Sequence, residues 1–118
     1  MVEQFGPELV LVSAGYDAHQ RDPLGGMSLT ASAYAQMTAR LLETLPERGR
    51  GRFGLLLEGG YDLSAIEESV MATCNALVTS PPQVPSRPGR WSAQVDAAIA
   101  VQRAYWALPQ PASPSHSG

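Results

Sequence analysis

The sequence predicts an α/β protein whose two strands belong to a parallel sheet larger than the chain itself. Three observations carry that prediction. Leu9-Val10-Leu11-Val12 is a continuous apolar run without polar alternation, the pattern of a strand buried on both faces beneath covering helices. Phe53 to Leu57 repeats the run, and a helical pattern follows each, so the order is β-α-β-α. That order implies parallel strands joined by a right-handed crossover. Two parallel strands leave two open edges, and strands this apolar expect neighbours on both sides.

In chain order, a short polar lead and Pro7 precede the first strand, which breaks at Ser13-Ala14-Gly15 and delivers Tyr16, Asp17 and His19 at its carboxyl end. In open α/β sheets that edge is where ligands bind. After the Asp22-Pro23-Leu24-Gly25-Gly26 loop, Thr30 reads as a helix N-cap, and Tyr34, Met37, Leu41 and Leu45 form one apolar stripe. Pro46 and Gly49-Arg50-Gly51 end that helix. The second strand delivers Glu58-Gly59-Gly60-Tyr61-Asp62 to the same rim. Ser64-Ala65-Ile66-Glu67 fits a capping box, with Ile66, Val70, Cys74 and Leu77 as the next buried face. Ser80 to Gly89 is too proline-rich for a packed element and reads as an irregular surface connection. Ser92 to Leu108 supplies a final helix with Val95, Ile99 and Trp106 on one side. Pro109 stops it, and residues 109–118 read as a disordered tail beyond a domain portion of residues 1–108.

Composition narrows the function classes. All eight basic residues are arginine, the net charge is −3, and no basic cluster exists, which argues against a nucleic-acid surface. Cys74 is the only cysteine, so one chain forms neither a disulfide framework nor a thiolate metal cluster. No segment approaches the ~20 apolar residues that span a bilayer. The N-terminus lacks a charged leader followed by a long apolar region, and a soluble, cytoplasmic protein is the expectation.

The rim residues each have two readings. Asp17 is a turn former or helix cap on one, and a carboxylate ligand for a divalent metal on the other. A catalytic zinc takes three protein ligands, so Asp17 alone does not make a site. His19, two positions on, shares a face with Asp17 in an extended segment, but Gln20-Arg21-Asp22 makes its surroundings polar and loop-like. A solvent-facing histidine is the expectation, and Asp17 is the favoured ligand. Tyr61 packs over the sheet edge, or holds a phenol at the site mouth to donate to a developing oxyanion. Gly59 and Gly60 serve unusual backbone angles, close substrate approach, or a phosphate cradle at the next helix. No Walker, G-x-G-x-x-G or G-x-S-x-G pattern supports a nucleotide site or a serine hydrolase.

Leu11-Val12-Ser13-Ala14-Gly15-Tyr16-Asp17-Ala18-His19, followed by Asp22-Pro23-Leu24-Gly25-Gly26 and Leu29-Thr30, resembles the C-terminal part of the histone deacetylase family. Leu57-Glu58-Gly59-Gly60-Tyr61-Asp62-Leu63 resembles that family's tyrosine motif, in the expected order. The likeness is strongest to bacterial histone-deacetylase-like amidohydrolases and acetylpolyamine or acetoin-utilisation relatives, whose chain ends Ala104-Tyr105-Trp106 also resembles. It runs from about residue 5 to residue 108.

The resemblance implies a fragment of a three-layer α/β/α arginase–deacetylase domain around a mainly parallel sheet. It implies a zinc-dependent hydrolysis of acetyl-lysine or acetylpolyamine-type amides. On it, Asp17 matches a zinc aspartate, and Tyr61 matches the tyrosine that polarises the acetyl carbonyl. Leu24 matches a residue lining the acyl-lysine tunnel, Gly59 and Gly60 match glycines beside it, and His19 matches no ligand. The implied substrates are an acetylated lysine peptide or a small acetylated amine, and the implied protein partners are the missing N-terminal half or a second copy. The family's upstream Asp-x-His motif and its tandem histidines have no counterpart, since His19 and His116 are the only histidines. The chain is therefore expected to be inactive alone. The alternatives are a non-catalytic remnant that binds a partner through its sheet edge, and a phosphate- or nucleotide-binding half-domain.

Overall fold

A computed structural model describes residues 1–45, 52–79 and 93–108. The elements are α1 (Val2–Phe5), β1 (Val10–Ala14), α2 (Ala31–Thr44), β2 (Phe53–Leu57), α3 (Leu63–Val78) and α4 (Ala93–Gln102). Strands β1 and β2 pair in parallel, Val10 opposite Phe53 through Ala14 opposite Leu57, as the β-α-β order requires. The lead is one helical turn, closed by Gly6 N–H donating to the Val2 carbonyl at 3.0 Å.

Alternation decides which strand residues are covered. Val12 and Leu55 turn toward a core built on Ala14, Tyr16 and Tyr34, joined there by Ala18, Leu29, Ile66 and Val70. The Tyr16 and Tyr34 rings meet edge to face at 5.0 Å between centroids, and Tyr16 Oη donates to Thr73 Oγ1 at 3.3 Å. The opposite face of the sheet is bare, with Leu11 64% and Leu56 53% exposed. Burial on both faces, expected from the unbroken apolar run, is therefore not found among the described residues. The side chains that would cover the second face are not among the described residues.

Helices α2 and α3 pack on one another. Tyr34, Thr38 and Leu45 are buried along the first of them, but Met37 is exposed and Ala39 is buried in its place. Thr30 is the N-cap of α2 by position, yet its hydroxyl pairs with Ser32 Oγ at 2.9 Å and makes no cap bond. On α3 the buried positions are Ala65, Ser69, Thr73 and Ala76, while Ile66 and Val70 are partly buried and Cys74 and Leu77 are exposed. The expected stripe is displaced by one residue because the face that packs most closely is made of small side chains. The cap is displaced too: Ala65 N–H donates to Asp62 Oδ1 at 2.6 Å, so Asp62 starts α3 and Ser64 lies inside it.

By itself, α4 is shorter than the expected Ser92–Leu108 helix. It ends at Gln102, where Tyr105 and Trp106 N–H groups both donate to the Gln102 carbonyl at 3.0 Å and fold the chain into a turn. The expected connection at Ser80 to Gly89, the Gly49-Arg50-Gly51 loop and the tail of residues 109–118 lie outside the described residues. No described helix is long and apolar enough to cross a membrane.

Candidate functional site

The two strands end side by side, and their following loops remain joined after the ladder stops. Glu58 N–H donates to the Ala14 carbonyl at 3.2 Å, and Tyr16 N–H donates to the Gly59 carbonyl at 2.8 Å. This pairing carries Asp17 past Gly59. The Asp17 carboxylate lies flat against that glycine: a Cβ on Gly59 would sit 2.6 Å from Asp17 Oδ2, and one on Gly15 would sit 3.0 Å from Oδ1. A side chain at either position would push the carboxylate from this place. Gly60 adopts φ +133°, a backbone angle that L side chains avoid, and a Cβ there would also meet Ile66 Cγ1 at 2.9 Å.

Asp17 is half-buried, whereas Leu24 and Tyr61 are exposed on the same rim. Tyr16, which also leaves the strand at this edge, turns inward and is core. His19 differs from expectation. It is 2% exposed, its Nδ1 accepts from the Arg21 N–H at 3.2 Å, and its backbone bridges to Leu29. The bridge consists of two bonds, Gln20 N–H to Leu29 O at 2.8 Å and Leu29 N–H to Ala18 O at 3.0 Å. The histidine is buried because the loop doubles back over it, a local pairing that its polar neighbours concealed.

Asp22, placed by the sequence only in a loop, organises the rim. Its Oδ1 accepts from the Leu24 N–H at 2.9 Å and the Gly25 N–H at 3.0 Å, the local turn that Asp-Pro-x-Gly favours. Its Oδ2 accepts from the Tyr61 N–H at 2.7 Å, across to the second loop. Burial pushes the Asp22 carboxyl up, but the bonds from Leu24, Tyr61, Gly25 and Asp62 outweigh it and hold the group below its ordinary value. Burial first, then the Asp17 and Asp22 carboxylates, push the Tyr34 phenol up. Arg21 adds a second tie, from the first loop to Glu68 on α3 at 2.8 Å and to the α3 cap Asp62 at 4.0 Å.

Among the described residues, no three histidine, cysteine or acidic side chains come together as a metal-holding group. Asp17 offers one carboxylate, where a catalytic zinc takes three protein ligands.

Residues 1–77 match the histone deacetylase domain family. Histone deacetylase 10, chloroplastic, of Oryza sativa subsp. japonica is 42% identical over 79 residues, 67% of this chain and 18% of that protein. Polyamine deacetylase HDAC10 of Homo sapiens is 39% identical over 109 residues, 87% of this chain and 15% of that protein. The solved HDA15 HD domain superposes with a TM-score of 0.68 at 30% identity, covering 89% of this chain and 27% of that one. The chain thus spans less than a fifth of the length of these two curated relatives.

Proposed function

This chain belongs to the histone deacetylase family, and from that premise we propose that it supplies the C-terminal portion of a zinc-dependent deacetylase acting on acetyl-lysine or acetylated-polyamine amides. The observation that carries the reading is the seat of Asp17. Its carboxylate lies over the face of Gly59 where a Cβ would stand, on the rim that also bears Tyr61 and Leu24. On this reading Asp17 gives one ligand to a zinc whose other ligands come from residues outside this sequence. A zinc held there supplies Lewis acidity and an activated water.

Tyr61 then donates its phenolic proton as a hydrogen bond to the oxygen of the scissile acetyl group as negative charge develops on it. Its exposure in this chain suits a group that faces a bound substrate. Leu24 offers an apolar wall to the acyl chain, and Gly59 and Gly60 keep the opposite wall free of side chains so that the chain passes close to backbone. The name of the human relative supports a small acetylated amine as substrate beside an acetylated lysine peptide. Cys74, exposed and free, suits a reducing compartment such as the cytoplasm.

A second reading is favoured by the bare sheet face: a non-catalytic role in which Leu11 and Leu56 contact a partner. The two separate in one experiment. Residues 1–118 are fused to an N-terminal portion carrying an Asp-x-His motif and paired histidines, and zinc content and turnover of a fluorogenic acetyl-lysine peptide and of an acetylated polyamine are measured. The deacetylase reading expects one zinc per chain and turnover, both absent from the 118-residue chain alone. Asp17→Ala empties the metal site in the fused protein, whereas His19→Ala leaves it filled. Full metal content in Asp17→Ala, or zinc-dependent turnover by the chain alone, would overturn it.

A further inference from the structure

We propose that Asp22 is a positioning residue that sets the gap between Leu24 and Tyr61 across the mouth of the site. The proposal rests on the reading of those two residues as tunnel wall and oxyanion donor, but its geometry stands apart from that chemistry. Leu24 and Tyr61 are 70% and 58% exposed, so packing of their own side chains does little to fix them. Their backbones are fixed instead by one carboxylate, itself 9% exposed. Oδ1 takes Leu24 and Gly25, and Oδ2 takes Tyr61, 39 residues away in sequence.

Each oxygen is therefore committed to a different wall, and the carboxylate is the rigid spacer between them. An asparagine cannot replace it. A carboxamide has one acceptor oxygen, and its NH2 group would face the Tyr61 N–H donor to donor. Asp22→Asn thus keeps the local turn and releases the far wall, which separates positioning from general folding.

The test is hydrogen exchange at single-residue resolution on the 118-residue chain, at micromolar concentration. In the wild-type chain the Tyr61 amide, though in a loop on an exposed residue, exchanges at least about tenfold more slowly than an unbonded amide. In Asp22→Asn that protection is lost while the Leu24 amide and the β2 amide of Leu55 keep theirs. In Asp22→Ala the Leu24, Gly25 and Tyr61 amides all lose protection, and Leu55 keeps its own. An unprotected Tyr61 amide in the wild-type chain would overturn the proposal without any variant. So would unchanged Tyr61 exchange in Asp22→Asn, or an equal acceleration at Leu55, which would make Asp22 a general fold residue. The readout involves no turnover, so its failure leaves Tyr61's chemical role standing, and a failure of that role leaves the clamp standing.

Discussion

At the scale of single residues, the rim works by contact between carboxylates and backbone. Asp22 has a pH signature whose sign follows from its bonds. Its carboxyl is held below the ordinary value in the folded chain, so the folded state is favoured wherever that group is ionised and unfolding leaves it easier to protonate. The contribution is complete above about pH 4, the unfolded carboxyl value, and is lost as pH falls through the lower folded value. Thermal melts from pH 7 to pH 2 should show wild type losing stability in that acid window by more than Asp22→Asn does; parallel profiles would contradict the assignment. Tyr61→Phe, in the fused and zinc-loaded protein, should keep its metal and lose about 10²–10³ in kcat. Unchanged turnover would remove Tyr61 from the chemistry. The sequence made legible the placement of Asp17, Tyr61 and their glycines at one rim, because each follows the end of an apolar strand within four residues. It could not make the Asp22 clamp legible, since a turn-forming aspartate advertises its neighbours two and three positions on, not a donor 39 positions away.

Elements show the same division between local and distant information. Both strands and the first long helix follow from periodicity and flanking turn residues, and the parallel register follows from their order. The covered face of α3 follows only in part: Ile66 and Val70 pack on the core as hydrophobicity points, whereas the most deeply buried positions are Ala65, Ser69, Thr73 and Ala76. Which stripe wins depends on how near α2 comes, and that distance is a property of the partner helix. Two substitutions test it. Ala76, 3% exposed, has no room for a larger side chain, so Ala76→Leu should destabilise by about 1–3 kcal/mol. Ser69 Oγ is buried with no hydrogen-bond partner among the described residues, so Ser69→Ala should raise stability by about 1 kcal/mol by removing a desolvated hydroxyl. Urea midpoints measured on both variants decide the matter. A tolerated leucine at position 76, or a serine whose loss costs stability, would mean that α2 and α3 sit farther apart or that Ser69 has found a partner.

For the compact unit formed by the described residues between Val2 and Thr79, the bare side of the sheet dominates behaviour. Strand alternation places Leu11 and Leu56 on one face, and register sets Gly54 opposite Leu11, so that a leucine side chain spreads where a Cβ would come within 3.1 Å of it. That face carries Leu11 and Leu56 with Ser13 between them and is uncovered, and the outer backbone edge of each strand is open among the described residues. A surface of that kind associates with whatever apolar surface it meets, because each exposed leucine hidden from water contributes about 1.5–3 kcal/mol. Residues 1–118 alone should therefore self-associate, with a sedimentation coefficient that rises with concentration across the micromolar range. Leu11→Asn together with Leu56→Asn should hold the chain monomeric over that range while leaving its circular dichroism unchanged, since neither side chain reaches the Tyr16–Tyr34 core. In the fused protein the same pair should instead impair folding, because there the leucines are covered by the added portion and two amides would be buried without partners. A polar pair that is harmless in the fused protein would show that this face stays open in the complete domain. The exposed leucines would then belong to a partner surface, as the second functional reading holds.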